Sequence, residues 1–238
     1  MKFKHILILL FIAIVAAPAV TGQQTADSSR EMTIEESYLL EAMELMIIRE
    51  AARATSREQK LIALEYIGQA IERGNTGDEI RATVEFLSFE GTLNRATENR
   101  RLVNDFPEVR REAARYLGLI GTEEAAAALI RINATESEPM VLQESVKSLG
   151  LIESENYDAA IASIVRIVNR FHNSASPDNL LALAAVDALG RISERNGGIS
   201  DPAAWQLLRA ISDGPYVPPV RERARQVFNE VRRPQSRN

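Results

Sequence analysis

The sequence has no cysteine, only 2 histidines, and aromatic residues at just 5% of its 238 positions. Without cysteine there can be no disulfide framework, thiolate nucleophile, iron–sulfur cluster or zinc-thiolate site. His5 lies in what reads as a removable leader, so His172 is the single imidazole of the remainder. Most metal hydrolases, and every arrangement that needs two imidazoles, are thereby excluded. With so few aromatics the core must be aliphatic, built from Leu, Ile, Val and Ala. What is present is sufficient for that: 45% of residues are apolar and 26% charged. This length and composition allow one large domain or two small ones.

Residues 1–22 have the pattern of a secretory signal. Lys2, Lys4 and His5 precede an unbroken apolar run, Ile6 to Ala17, and Pro18 with Val20, Thr21 and Gly22 offers a cleavage site before Gln23. The run is shorter than the roughly 20 apolar residues of a membrane helix, although an uncleaved anchor is the alternative. No cysteine at the site is available for lipid attachment. Cleavage would remove Lys2 and Lys4 but no acid, and so move the net charge from −5 to −7. That balance suits an exported protein, periplasmic or extracellular, and argues against nucleic acid as the main ligand. In an oxidising compartment a chain without cysteine relies on packing alone. The expected organisation is a signal peptide at 1–22, a short polar linker at 23–32, a helical region at 33–233 and a disordered tail at 234–238.

Beyond the linker nearly everything has helical period. Thr33…Glu36 is a capping box, and Ser56…Gln59, Thr76…Glu79 and Asp105…Glu108 repeat its pattern. Asp201-Pro202 and Ser176-Pro177 place a polar cap before a proline. Gly74, Gly91, Gly121 and Gly197-Gly198 supply the stops. The spacing predicts helices over 33–54, 57–73, 77–90, 92–103, 107–119, 122–133, 138–152, 156–171, 177–194, 202–212 and 218–232. No segment alternates like a strand bounded by hairpin turns, so the expected fold is all-α, with about eleven helices.

Self-similarity organises these helices. Val109 to Ile120 aligns without gaps to Val141 to Ile152, and the pattern returns at Leu181…Ala185…Leu189-Gly190, at Val220-Arg221…Ala224…Phe228 and at Gln59-Lys60…Ala63…Ile67-Gly68. Pro107, Pro139 and Pro218 stand two residues ahead of three copies. Gly68, Gly118, Gly150 and Gly190 mark successive copies, and the widest gap, from Gly68 to Gly118, leaves room for the helix expected at 92–103. A second helix repeats in phase as Ala125…Leu129-Ile130-Arg131, Ala160…Ile164-Val165-Arg166 and Ala203…Leu207-Leu208-Arg209. Two-helix units recurring at this period stack into a solenoid, because each buries faces its neighbour cannot bury alone. Small residues at the fifth position (Ala63, Ala113, Ser145, Ala185, Ala224) would let paired helices approach to about 8–10 Å between axes.

The run Pro-x-Val-Arg-x-x-Ala-x-x-x-Leu-Gly-x-Ile at 107–120 resembles the HEAT repeat, in particular the short HEAT-like type of phycobilisome lyases and many bacterial scaffold proteins. The resemblance is closest over 105–133 and 137–171 and extends over most of the chain. It implies an α-solenoid of stacked antiparallel helix pairs, armadillo-like in character, with a concave binding surface that the second helices would line. It implies no particular chemistry. The Val-Arg pair, present at Val109-Arg110 and Val220-Arg221, is lost at Leu142 and Ala182. A continuous ladder of arginine–aspartate pairs is therefore not expected.

The routes to catalysis close one by one. HEAT-like di-iron hydroxylases use repeated His-Glu pairs, which a chain with one imidazole lacks. His172, at a helix end, reads as a solvent-exposed residue with no sign of a Ser-His-Asp site. Glu123-Glu124 sits at a helix start, where carboxylates complement the dipole. Asn133-Ala134-Thr135 matches a glycosylation sequon by a pattern that arises often by chance. No phosphate loop, cofactor or metal set is expected, and the chain reads as no enzyme.

Binding features remain. Arg131, Arg166 and Arg209 hold one position in successive second helices and could form a row that contacts every third residue of an acidic or C-terminal segment. The alternative is that each arginine pairs with a local carboxylate or covers apolar surface with its stem. Residues 27–50 carry seven acids against Arg30 and Arg49, whereas 219–238 carry six arginines against Glu222 and Glu230. Opposite ends could therefore pair head to tail, or the basic end could touch an anionic membrane surface; two solvated caps are the simpler account. Tyr157, Trp205 and Phe228 read as core residues, with Trp205 a lesser candidate for a ligand anchor. The expected function is an exported scaffold or adaptor in the cell envelope, binding a protein or peptide in the concavity. The alternatives are a lyase-like or accessory factor binding a small molecule there, and a structural subunit assembling through its ends.

Overall fold

The computed structural model describes residues 33–154, 157–172 and 177–232. The expected signal peptide, polar linker, Ser176 cap and disordered tail all lie outside the described residues. Ten helices are described: α1 (Ile34–Arg53), α2 (Arg57–Glu72), α3 (Asp78–Ser88), α4 (Pro107–Ile120), α5 (Glu123–Thr135), α6 (Pro139–Leu149), α7 (Tyr157–His172), α8 (Asn179–Asn196), α9 (Pro202–Asp213) and α10 (Pro218–Arg232). Nearly every helix packs against its chain neighbour and against the helix two places on. The result is two rows, one of even-numbered and one of odd-numbered helices. The repeated Pro-x-Val-Arg helices form the even row, and the second helices of each repeat form the odd row.

Local chemistry explains most boundaries. Thr33 and Glu36 form the full capping box of α1, and Ser56 caps α2 by accepting from the Gln59 amide. Pro107, Pro139 and Pro202 open α4, α6 and α9, with Asp201 accepting from Ala203 N–H. Two predicted capping boxes do not form. Gly77 rather than Thr76 precedes α3, and Phe106 precedes α4, because Asp105 is turned to Arg110 instead. Asp178, not Ser176, caps α8. Gly121 and Gly197 end α4 and α8 in the left-handed region, at φ 71° and 70°.

The helix expected at 92–103 is absent. Thr97–Glu98 (β1) and Arg101–Leu102 (β2) instead pair antiparallel around Asn99 and Arg100, whose φ values are 49° and 65°. Asn104 fixes this loop from within. Its amide donates to Glu90 Oε1 at 2.7 Å and to the Asn94 carbonyl at 2.6 Å, while its Oδ1 accepts from Ala96 N–H at 2.8 Å. A helix here would forfeit those three bonds.

The core is aliphatic, as the composition implies, and runs without interruption along the stack. All five fifth-position residues, Ala63, Ala113, Ser145, Ala185 and Ala224, are fully buried. The repeated register also places glycines at the contacts within the even row. A Cβ at Gly118 would stand 2.7 Å from Ser148 Cβ, and one at Gly150 would stand 2.6 Å from the Ala188 Cα. Helices α4, α6 and α8 thus meet nearly backbone to backbone. No odd-row helix contains a glycine, and its neighbours pack less closely. Shorter spacing in one row than in the other bends the stack toward the tighter row. The closer contacts favour the even row as the inner side, whereas the sequence leads one to expect the second helices there.

Candidate functional site

Three kinds of polar feature fall on this frame: a buried ladder, an outer row of arginines and a patterned inner face. Lys60, at the Arg110-equivalent position of its repeat, is buried; its Nζ donates to the Ala52 carbonyl at 2.8 Å and lies 3.1 Å from Glu90 Oε2. Arg110, 1% exposed, lies 2.6 Å from Glu136 Oε2 and 2.7 Å from Asp105 Oδ1, and it donates to the Glu90 carbonyl at 2.9 Å. Desolvation pulls the Arg110 pKa down, but these hydrogen bonds and charges together outweigh it and raise the pKa above its ordinary value. Arg170 closes the series by donating to the Glu136 carbonyl at 2.6 Å. Glu90 and Glu136 both follow odd-row helices, so each acid pins one repeat to the next. At Leu142 and Ala182 the ladder gives way to buried aliphatic packing, in line with the loss of the Val-Arg pair. Its role is structural: the buried charges of Lys60, Glu90, Arg110 and Glu136 are each paired and hydrogen-bonded.

The three arginines singled out in the sequence sit on the odd, outer row. All are exposed, but their surroundings differ. Arg131 on α5 pairs with Glu85 of α3, and its guanidinium lies 5.0 Å from the centroid of the Phe89 ring. Arg209 on α9 lies 3.7 Å from Asp213, one turn on. Arg166 on α7 forms no ion pair among the described residues.

The inner face carries a pattern that sequence reasoning passed over. On α4 the outward line is Arg111, Arg115 and Leu119; Gln143 and Lys147 on α6, with Leu151 in the turn just past it, repeat that line at the same four-residue spacing. Leu119 and Leu151 are 49% and 40% exposed, in contrast to the buried Leu117 and Leu149 beside them. Arg115 donates through Nε to Glu112 at 3.0 Å, and Lys147 donates to Glu144 at 3.1 Å. The guanidinium holds the Glu112 carboxyl below its usual pKa, although partial burial opposes the shift. Further along, Arg223 of α10 bridges to Asp187 of α8 at 2.8 Å. Toward the other end a groove of about 390 Å³ opens between α2 and α4, lined by Arg57, Leu61, Glu65, Glu108, Arg111 and Tyr116. The signal for this face was available in the internal repeat: Leu119 and Leu151 follow the repeated glycine, each four residues after the exposed cation, Arg115 or Lys147.

Several smaller expectations change. His172 is not a free end residue: it is half-buried, and its Nδ1 shares a 2.8 Å hydrogen bond with the Tyr216 hydroxyl, tying α7 to the loop before α10. Asn133 of the sequon is buried and donates to Ser163 Oγ at 3.1 Å, so its amide is inaccessible to a glycan. Glu124 behaves as a helix-start carboxylate, with its own backbone N–H and the Thr122 hydroxyl lowering its pKa. Trp205 donates its indole N–H to the Ile199 carbonyl at 2.9 Å, packing the α8–α9 loop. Among the described residues no His, Asp and Glu cluster could hold a metal ion, and no helix is long and apolar enough to cross a membrane.

A two-row stack of helix pairs, tight on one side and polar at its joints, defines a helical-repeat protein. The family model for HEAT repeats matches residues 99–174, from the hairpin through α7, and this part of the chain is built of HEAT repeats. Such repeats commonly mediate protein interaction as scaffolds and are generally not catalytic. Comparison with curated proteins and with solved structures finds no match.

Proposed function

We propose that the chain is an exported, non-enzymatic scaffold of the cell envelope that holds an extended protein segment against its even-numbered helices. Export rests on the signal-like pattern of residues 1–22, and the binding role rests on the HEAT architecture. The observation that supports this face over the outer one is the recurrence of Leu119 and Leu151 at one register, each beside a charged pair. Neighbouring helices stand about 8–10 Å apart, and an extended chain advances about 3.3 Å per residue. A segment crossing the row would therefore set an apolar side chain on each leucine at every third residue. Arg115, Glu112, Lys147 and Glu144 would flank it with both signs of charge, and would set its direction more than its affinity.

The outer arginines are a second, narrower reading. Arg166 is its centre, because Arg131 and Arg209 already have carboxylates within reach, and an acidic segment is the partner it would suit. Affinity capture from the producing cell separates the two. The Leu119→Glu/Leu151→Glu chain should lose the partner retained by the native chain, whereas an Arg131→Ala/Arg166→Ala/Arg209→Ala chain should keep it. Loss confined to the arginine variant would replace the first reading with the second.

A further inference from the structure

Helix α1 has two apolar faces, and only one of them meets the core. Ile48, Ala51 and Ala52 are buried against the stack, yet Leu39, Leu40, Met43, Met46 and Ile47 face outward, with Leu39, Met43 and Met46 at 65%, 54% and 59% exposed. At 100° per residue these five fall within a stripe about 120° wide. The stripe borders a groove of about 680 Å³ that Leu40, Met43 and Ile47 share with Tyr66 of α2. Terminal repeats ordinarily present a polar outer face, and α10 does so through Glu222, Arg225, Gln226, Asn229 and Glu230. The α1 end does not.

The order of residues in the stripe is symmetric about its centre. Around Met43 the positions three, four and seven away on either side are Leu40 and Met46, Leu39 and Ile47, and Glu36 and Glu50. The pattern reads the same in both directions: acid, two apolar residues, methionine, two apolar residues, acid. Across a two-fold axis such a stripe lays apolar residues on apolar residues, as an isologous contact requires, and brings Glu36 against Glu50 at its two ends. We infer that the α1 stripe pairs with the α1 stripe of a second copy, antiparallel, with Met43 on the two-fold axis. Leu39 then lies opposite Ile47 of the second copy, and Leu40 opposite Met46. The contact spans about 21 Å from Glu36 to Glu50 at 1.5 Å per residue. Head-to-tail stacking on α10 has no such complement, since α10 offers this apolar stripe only charged and amide groups.

The chain has no cysteine, so a single introduced thiol is an unambiguous probe. The protein is expressed from its full sequence, purified, and its N-terminus read by mass. Sedimentation should show a monomer–dimer equilibrium that goes no further and does not dissociate as salt rises, because screening relieves the Glu36–Glu50 approach. Met43→Cys should give a covalent dimer on mild oxidation, and Glu222→Cys on α10 should not. Leu40→Glu, with its helicity checked by circular dichroism, should weaken dimerisation about 30-fold or more, as loss of an interface hot spot does; Met46→Glu, at a more exposed position, should repeat the effect. A monomer at all concentrations overturns the inference, whether the segment before Thr33 or another protein covers the stripe. So do open-ended species that salt dissociates, or equal cross-linking at positions 43 and 222.

Discussion

Arg110 and Glu136 form a salt bridge of 2.6 Å in which both side chains are almost wholly removed from solvent, 26 residues apart in sequence. The pair joins the start of α4 to the end of α5, and through the Glu90 and Glu136 carbonyls it reaches α3 and α7. Among the described residues Glu136 pairs with no other cation, and its Oε1 accepts from the backbone N–H groups of Ser137 and Glu138 at 2.8 and 2.9 Å. Replacing Arg110 leaves that carboxylate buried and uncompensated. Arg110→Leu should lower the unfolding free energy by about 3–5 kcal/mol, measured by urea titration, even though Leu142 fills the equivalent position natively. A loss under about 1 kcal/mol, the scale of an exposed ion pair, would show that the ladder does not pin the repeats.

Gly150→Ala tests the tight row. Its methyl group would press on the Ala188 backbone, which cannot rotate away as a side chain can, so α6 and α8 must separate. A loss of about 1–3 kcal/mol is expected, as for other overpacked contacts. Gly190→Ala, whose Cβ would meet Val227 Cγ2 at 3.3 Å, should cost less. Thermal unfolding of the two variants side by side checks the order.

Asn104 is the keystone of the hairpin. Asn104→Leu keeps the volume but strands Glu90 Oε1 and the Ala96 amide, and leaves the Asn94 carbonyl with only the bond it accepts from Gly91 N–H at 2.8 Å. Losing these three hydrogen bonds, one buried and two part-buried, should cost about 2–4 kcal/mol, with exchange protection disappearing over residues 91–104 before it changes elsewhere. Uniform loss across the chain would mean that the loop is not an independent unit.

Acid should weaken the inner face through Glu112. Its pKa is lowered in the folded state from an ordinary value of 4.5, chiefly by the Arg115 hydrogen bond. A depressed carboxyl pKa stabilises the fold above the unfolded value, and that contribution fades as pH falls through the folded one. Arg115→Gln should therefore flatten the stability–pH curve between those two values and raise the Glu112 midpoint seen by carbon-detected NMR. An unmoved midpoint would show that the Arg115 bond does not form in solution.

The rows, the core and most caps were legible in the sequence because their causes are local. Period, capping residues and the Gly118–Gly150–Gly190 register all lie within a turn or two of the structure they specify. The 92–103 segment misled for the opposite reason. Leu93, Ala96, Glu98 and Arg101 suit a helix, and nothing nearby announces that Asn104 is bonded to Glu90, 14 residues back. Arg110 was visible as part of the repeat, but its carboxylate partner on the far side of α5 was not. Curvature depends on relative spacing in two rows, a comparison that only the assembled stack supplies. That is why the arginines at 131, 166 and 209 aligned in sequence while the face opposite them carried the exposed leucines.

The most direct test of the binding face is site-specific photo-crosslinking in the producing cell, with a photoreactive residue placed at Leu119 in one chain and at Arg166 in another. A scaffold working through its even-numbered row should yield a discrete protein adduct from position 119 and none from position 166. An adduct from position 166 alone would contradict that assignment and put the partner on the outer row.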